Sequence, residues 1–253
     1  MKINGLKHLS LAAALVALSF AACKKDDPLA GTFNGTQTNF GSGKAWTYIN
    51  NDDDGNPVEI GLIVDEAAFN SLDETTSDIA LSLAYPKEAT ERTPFVHQFV
   101  GWNPHGHEPL GIYDLPHYDL HYYTTSEADR LAITPWDTVK AAIAPSPDHF
   151  PAAYFPVGLV PQMGVHWIDG TSPELAGAPF EETFIYGSFD GKVTFWEPMI
   201  SKAFMQANAT FEKDIKQPAK YDQSGKYYPT KQGFAHDTAK KEYRFYLSGF
   251  VKR

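Results

Sequence analysis

The sequence predicts a mainly β fold, either a β-sandwich or an open barrel, with a few short helices. Aromatic residues make up 14% of the chain, including 13 Tyr and 17 Phe, and aromatic side chains favour strands. The 19 Gly and 18 Pro supply turns between short apolar runs. These runs lack the strand–helix–strand alternation of parallel-sheet proteins. An α+β fold is the second choice.

The first part of the domain reads as strands with one capped helix. Asp65 is a typical N-cap for a short helix, and residues 87–93 read as a charged loop between strands. The predicted segments are strands at 44–50 and 58–64 around a turn at 51–56, a helix at 66–72, and strands at 79–85 and 95–102.

The second part mixes short helices, a proline-rich segment and further strands. Residues 145–162 contain five prolines, which predicts a long loop or lid bordering the functional site. Asp190-Gly191 is a strong hairpin signal. The remaining predicted segments are helices at 125–133 and 135–144, strands at 163–167, 183–189, 192–196 and 242–251, a loop at 217–230, and a helix or a strand at 200–216.

Residues 1–22 have the pattern of a lipoprotein signal peptide. Lys2 and Lys7 precede an uncharged apolar run at 9–22, which is too short to cross a bilayer comfortably. The run ends in Ala21-Ala22-Cys23, which resembles the lipobox of bacterial lipoproteins, in which the cysteine is acylated and becomes the N-terminus. The position of Phe20 more often holds Leu. An ordinary secretory signal with an incidental cysteine is the alternative.

The predicted organisation is therefore a signal peptide at 1–22, a lipidated Cys23 with a flexible linker to residue 42, and one domain at 43–253. Cys23 is the only cysteine, so the domain has neither a disulfide nor a thiolate metal ligand. Removing Lys2 and Lys7, the only charges in residues 1–22, changes the formal net charge from −10 to −12. This charge argues against nucleic acid as a partner. We expect a lipid-anchored envelope protein, periplasmic or surface-exposed.

A histidine-rich stretch at 102–123 is the strongest functional signal. Its imidazoles and carboxylates are of the types that bind Zn, Mn, Fe or Cu. In a strand, His117, Asp119 and His121 share one face, because side chains alternate. The candidate ligands in this stretch are His105, His107, His117, Asp119 and His121. Imidazoles that only form hydrogen bonds in the core are the alternative.

Two later residues extend the candidate site. Glu197 shares a predicted strand face with apolar Val193 and Phe195, where a carboxylate is costly unless it is paired or binds a cation. The alternative places Glu197 at the strand end, in solvent. His166, between Val165 and Trp167, is either another ligand or a buried core histidine. We expect four histidines (His107, His117, His121 and His166) around one point, with Glu197 nearby.

Several segments together resemble an uncharacterised bacterial family of extracytoplasmic proteins. The motifs are GHEP, PHYDLHYY, MGVHW and EPMI, spread over residues 102–250 with neighbouring sequence. The resemblance implies grouping of the candidate ligands, with His105 the least secure, but no established reaction. A His-x-His and a later His also resemble cupins. The Glu that cupins place shortly after His-x-His is not at that spacing, so a cupin fold is not predicted.

Two functions remain open from the sequence. The first is a metal-binding protein or metal-dependent enzyme of unknown reaction, acting on a small-molecule ligand. Its metal would polarise substrate or activate water, with Tyr113, Asp119 or Tyr123 transferring protons. The second is a non-catalytic envelope lipoprotein that binds a ligand or partner through an aromatic-rich β surface.

Overall fold

Antiparallel strands dominate the computed structural model, which describes residues 29–253. The predicted signal peptide and Cys23 lie outside these residues. The strands, in chain order, are β1 (Gly31–Asn34), β2 (Thr38–Phe40), β3 (Gly43–Asn51), β4 (Pro57–Asp65), β5 (Ile79–Ala84), β6 (His97–Asn103), β7 (His117–Tyr123), β8 (Tyr154–Val160), β9 (Gly164–Asp169), β10 (Glu182–Phe189), β11 (Lys192–Ser201), β12 (Thr210–Asp214), β13 (Tyr227–Tyr228), β14 (Lys231–Asp237), β15 (Glu242–Ser248) and β16 (Val251–Lys252).

The described helices are short. They are α1 (Glu66–Ser71), α2 (Lys87–Arg92), α3 (Glu127–Leu131), α4 (Thr138–Ala141) and α5 (Lys202–Ala207), with 3₁₀ turns at Pro147–His149 and Pro173–Ala176. The Asp65 side chain accepts the Ala68 N–H at 2.7 Å, which confirms the predicted N-cap of α1. Within residues 29–253, no helix has both the length and the apolar character needed to span a bilayer.

The strands form a β-sandwich, as predicted. One seven-stranded sheet has the order β1-β3-β4-β15-β14-β12, with β2 also paired to β3. The other, which we call the site sheet, has the order β5-β6-β7-β11-β10-β9-β8. Strands β13 and β16 form a separate small pair. In the site sheet β7 is flanked by β6 and β11, so both of its neighbours can contribute side chains to a common face.

The sandwich interior is built from alternate residues of β7. Tyr118, Leu120 and Tyr122 have no solvent exposure and pack towards the other sheet. The Tyr118 ring lies 5.5 Å from that of Phe245 on β15. Burying a side chain of this size contributes roughly 1.5–3 kcal/mol. These contacts fix which face of β7 points inwards and leave the other face of the site sheet for the histidines.

Four local expectations differ from the structure. The predicted linker includes β1 and β2, whose backbones pair with β3. Residues 87–93 contain helix α2 rather than only a loop. The proline-rich segment is not a lid, because β8 within it pairs with β9 as the edge of the site sheet. Pro156 is tolerated there because an edge strand has one side without strand partners. The ambiguous segment at 200–216 contains both α5 and β12.

Candidate metal centre

The outer face of β7 carries His117, Asp119 and His121, as the alternation predicts. All three are at most 7% exposed. With side chains from neighbouring segments they form two potential metal-binding groups. We call them the Asp119 group (His107, His117 and Asp119) and the Glu197 group (His121, His166 and Glu197). Within each group, one ligand atom per residue lies within 4.8 Å of the others.

The Asp119 group is organised around both oxygens of its carboxylate. The Nε2 atom of His117 lies 3.0 Å from Oδ1, and the Nε2 atom of His107 lies 3.2 Å from Oδ2. Asn103, on β6, donates a 2.8 Å hydrogen bond to Oδ2. The Asp119 side chain is therefore held from three sides, with both imidazoles presenting the same ring nitrogen to it.

The loop between His107 and β7 turns back, which places His107 beside Asp119. The His107 N–H donates to the Tyr113 carbonyl at 3.1 Å, which closes the loop before β7. Gly106 has a φ of +66°, and a Cβ there would lie 2.0 Å from the Tyr113 carbonyl oxygen. Glycine is thus required for both conformation and space. Phe180 packs edge-on against His117, with the two ring centroids 5.3 Å apart.

The Glu197 group lies deeper. The His121 Nε2 atom is 3.3 Å from Glu197 Oε1, and the His166 Nε2 atom is 3.7 Å from Glu197 Oε2. The side chains of His121 and Glu197 are each 1% exposed, and that of His166 is 13% exposed. Among residues 29–253, neither His121 ring nitrogen nor Glu197 Oε2 has a hydrogen-bond partner. Buried polar atoms left in this state cost about 1–3 kcal/mol each.

Strand pairing explains how these distant residues meet. Glu197 lies in the middle of β11, so the alternative of a strand-end residue in solvent is excluded. His166 on β9 is opposite Gly187 on β10, which in turn is opposite Phe195 on β11. A Cβ on Gly187 would lie 1.9 Å from the Phe195 ring. The missing side chain admits this ring, whose centroid lies 5.0 Å from His166 and 4.9 Å from His121.

The protonation equilibria of the Asp119 group favour a charged pair. Burial alone would raise the pKa of Asp119, but the charges of His117 and His107 and the hydrogen bond with His107 hold it well below its ordinary value. Burial would lower the pKa of His107, whereas its hydrogen bond and charge interaction with Asp119 raise that pKa to about 9. At neutral pH, His107 is therefore protonated beside an ionised Asp119.

In the Glu197 group the pKa shifts have the opposite directions. Burial lowers the pKa of His121 to about 3 and that of His166 to about 4, so both rings are neutral at pH 7. Burial, together with the negative charge of Asp119, raises the pKa of Glu197 well above its ordinary value. Without a cation, this carboxylate has no positive partner within its group. Neutral imidazoles and a carboxylate that needs a counter-charge suit a divalent ion.

Other candidate residues have different positions. His105 is exposed and belongs to neither group. Tyr123 stacks on His121 at 5.7 Å, and Tyr113 lies 6.0 Å from His107. Burial raises the pKa of both tyrosines above its ordinary value. Sequence reasoning missed Asn103, which directly follows the strand predicted at 95–102; the structure extends this strand to Asn103, and alternation along it gives the face of Asn103.

The comparisons with known proteins add no identification. Neither a family model, a curated protein nor a solved structure matches this chain.

Proposed function

We propose that this chain is a metal-binding protein of the bacterial cell envelope whose deepest site is the Glu197 group. The observation that carries the proposal is the contact between His121 and Glu197. Both side chains are almost fully buried, yet they make no hydrogen bond to each other. A divalent cation would satisfy both the ring nitrogen and the carboxylate, and would offset the cost of burying the charge.

The donor set narrows the class of ion. Two imidazoles and one carboxylate match transition metals such as Zn, Mn, Fe or Cu, and a thiolate is absent from the described residues. The same His₂–carboxylate composition occurs at catalytic zinc sites and at non-haem iron sites. Such sites retain an open coordination position. A metal-dependent enzyme is therefore a better fit than a closed structural site.

Residues near the metal would then act as proton donors and proton acceptors. The metal would supply a Lewis acid that polarises a bound oxygen. Tyr113 and Tyr123, with raised pKa values, would remain protonated and serve as hydrogen-bond donors or acids. Asp119, with its lowered pKa, would remain ionised and serve as a ligand or a proton acceptor. The substrate in this proposal is a small molecule.

Titration of metal-stripped protein tests the proposal. We expect saturable heat on adding Zn²⁺, Mn²⁺, Co²⁺ or Cu²⁺ in a calorimeter, with proton release, because Glu197 must ionise to bind. Affinity should therefore rise with pH. His105→Ala, outside both groups, should titrate like the wild type. The absence of saturable binding by all four ions would refute the proposal.

The non-catalytic alternative, binding through an aromatic surface on the strands, has less support than the metal site. The largest fully buried side chains include Trp102, Tyr118, Tyr122, Tyr186 and Phe195. These rings fill the interior or the covered site face and cannot contact a partner at the surface. The non-catalytic alternative would have to use other groups.

Attachment through Cys23 remains a proposal from the sequence. The apolar run at 9–22, which ends in Ala21-Ala22 directly before Cys23, supports it. Cys23→Ser should abolish acyl labelling and stop lipoprotein-type processing of the signal, because the serine offers no thiol for acylation. Metabolic labelling with a fatty-acid analogue measures this. A wild-type protein that is unlabelled and found in the soluble fraction would contradict it.

A further inference from the structure

The Asp119 group is a complete second set of ligands, and we propose that the chain binds two divalent transition-metal ions side by side, one in each group. This inference rests on the proposed function of the Glu197 group and extends it to a binuclear centre. The two groups share no residue, and each has two imidazoles and one carboxylate.

The distribution of ligand atoms favours two ions over one. Two atoms bound to the same zinc at about 2.1 Å are at most about 4.2 Å apart. Even at a wider spacing of 4.8 Å between ligand atoms, the six candidate residues separate into two sets of three. Asp119 and His121 are two residues apart on one face of β7, a step of about 6.6 Å along a strand. The groups are therefore neighbours with separate centres.

The surroundings of the Asp119 group orient its ligands as a metal site requires. The Nδ1 atom of His117 lies 2.6 Å from the Leu115 carbonyl oxygen, and that of His107 lies 2.7 Å from the Glu108 carbonyl oxygen. Donation by both Nδ1 atoms leaves Nε2 facing Asp119 on each ring. Ligand histidines characteristically use the second nitrogen in this way. Asn103 fixes the carboxylate by its hydrogen bond to Oδ2.

The Asp119 group also contains buried polar atoms without a partner. Among residues 29–253, neither His117 Nε2 nor Asp119 Oδ1 has a hydrogen-bond partner, although the two atoms lie 3.0 Å apart. A divalent ion bound by both atoms would satisfy the imidazole nitrogen and the carboxylate oxygen together.

Metal stoichiometry with matched variants tests the proposal. Elemental analysis after dialysis against Zn²⁺, and separately Mn²⁺ or Co²⁺, should give two ions per wild-type chain. Asp119→Asn and Glu197→Gln, which keep side-chain size, should each reduce this to one, and their combination to none. His105→Ala should retain two. His107→Ala removes a ligand that is 38% exposed on a loop, so it tests the second site with little disturbance of the core.

The outcomes separate this inference from the proposed function. One ion that is lost only on changing the Glu197 group would overturn the binuclear centre while preserving the proposed function. One ion that is lost on changing either group would indicate a single shared site and also overturn it. Absence of bound metal in the wild type would overturn both. Two ions with independent loss would support both.

Discussion

Glu197→Gln is expected to lower metal affinity at the Glu197 group by at least about 100-fold while stabilising the metal-free protein. Replacing residues that only support ligands typically costs 10–100-fold in affinity, so loss of the ligand carboxylate should cost at least the upper value. In the metal-free state the carboxylate is 1% exposed and has no cation in its group. Glutamine removes a group whose ionisation is disfavoured by burial and by Asp119, and its amide can donate to neutral His121.

The stability difference between wild type and Glu197→Gln is expected to depend on pH. The pKa of Glu197 in the folded protein is raised by burial and by Asp119. The folded state therefore binds more protons than the unfolded state above about pH 4.3, the ordinary pKa of Glu. The contribution of Glu197 to the free energy of unfolding is fully present below that pH. It is lost as the pH rises through the folded-state pKa of Glu197. The stability advantage of Glu197→Gln should grow over this range.

Urea denaturation of metal-free wild type and variant at several pH values measures the difference. Comparing the two proteins cancels the opposing contribution of His121 and His166, whose lowered pKa values destabilise the fold as the pH falls below about 6.5. A metal-free variant that is less stable than the wild type at neutral pH, with unchanged metal affinity, would show that Glu197 has a structural role.

Combined replacement of His107 and His166 by alanine is expected to eliminate thermal stabilisation by metal. An ion that binds only the folded state adds about 2.7 kcal/mol when its free concentration is 100 times its Kd. For a domain of this size, that corresponds to a rise in Tm of about 5–11 °C. The double variant, which lacks one ligand from each group, should show a rise of less than about 1 °C, well below this range.

The double variant is expected to fold, because neither substituted side chain is fully buried. His107 and His166 are the partly exposed members of their groups, whereas His117 and His121 are buried. His105→Ala is the matched control. His236 is less suitable, because its Nε2 atom lies 2.7 Å from Glu66 Oε1 and its ring stacks on Tyr243. Calorimetry with and without Zn²⁺ measures Tm. Equal shifts in wild type and double variant would place the bound metal elsewhere.

Local patterning explains the parts of the fold that the sequence predicts. Alternation in HYDLHYY correctly separates the inward Tyr118, Leu120 and Tyr122 from the outward ligand candidates. The Asp190-Gly191 turn correctly joins two strands. Short-range signals of this kind depend on residues within a few positions of each other. They do not specify which strands become neighbours.

The division into two groups depends on information that local patterns lack. His166 joins Glu197 only because β9, β10 and β11 are adjacent, and His107 joins Asp119 only through the turn at Gly106. The sequence predicted histidines and carboxylates as candidate ligands and placed four histidines around one point, whereas the structure divides these histidines between two groups. The proline-rich segment was misread because edge pairing, which accommodates Pro156, is a tertiary property.

Anomalous X-ray diffraction from crystals of the protein soaked with Zn²⁺ or Mn²⁺ tests the central claim most directly. The account predicts a strong metal peak at about 2.0–2.2 Å from His121 Nε2, His166 Nε2 and a Glu197 carboxylate oxygen. It would be lost in Glu197→Gln crystals treated identically. A peak confined to exposed residues such as His105, or the absence of a peak between His121, His166 and Glu197 at saturating metal, would contradict the claim.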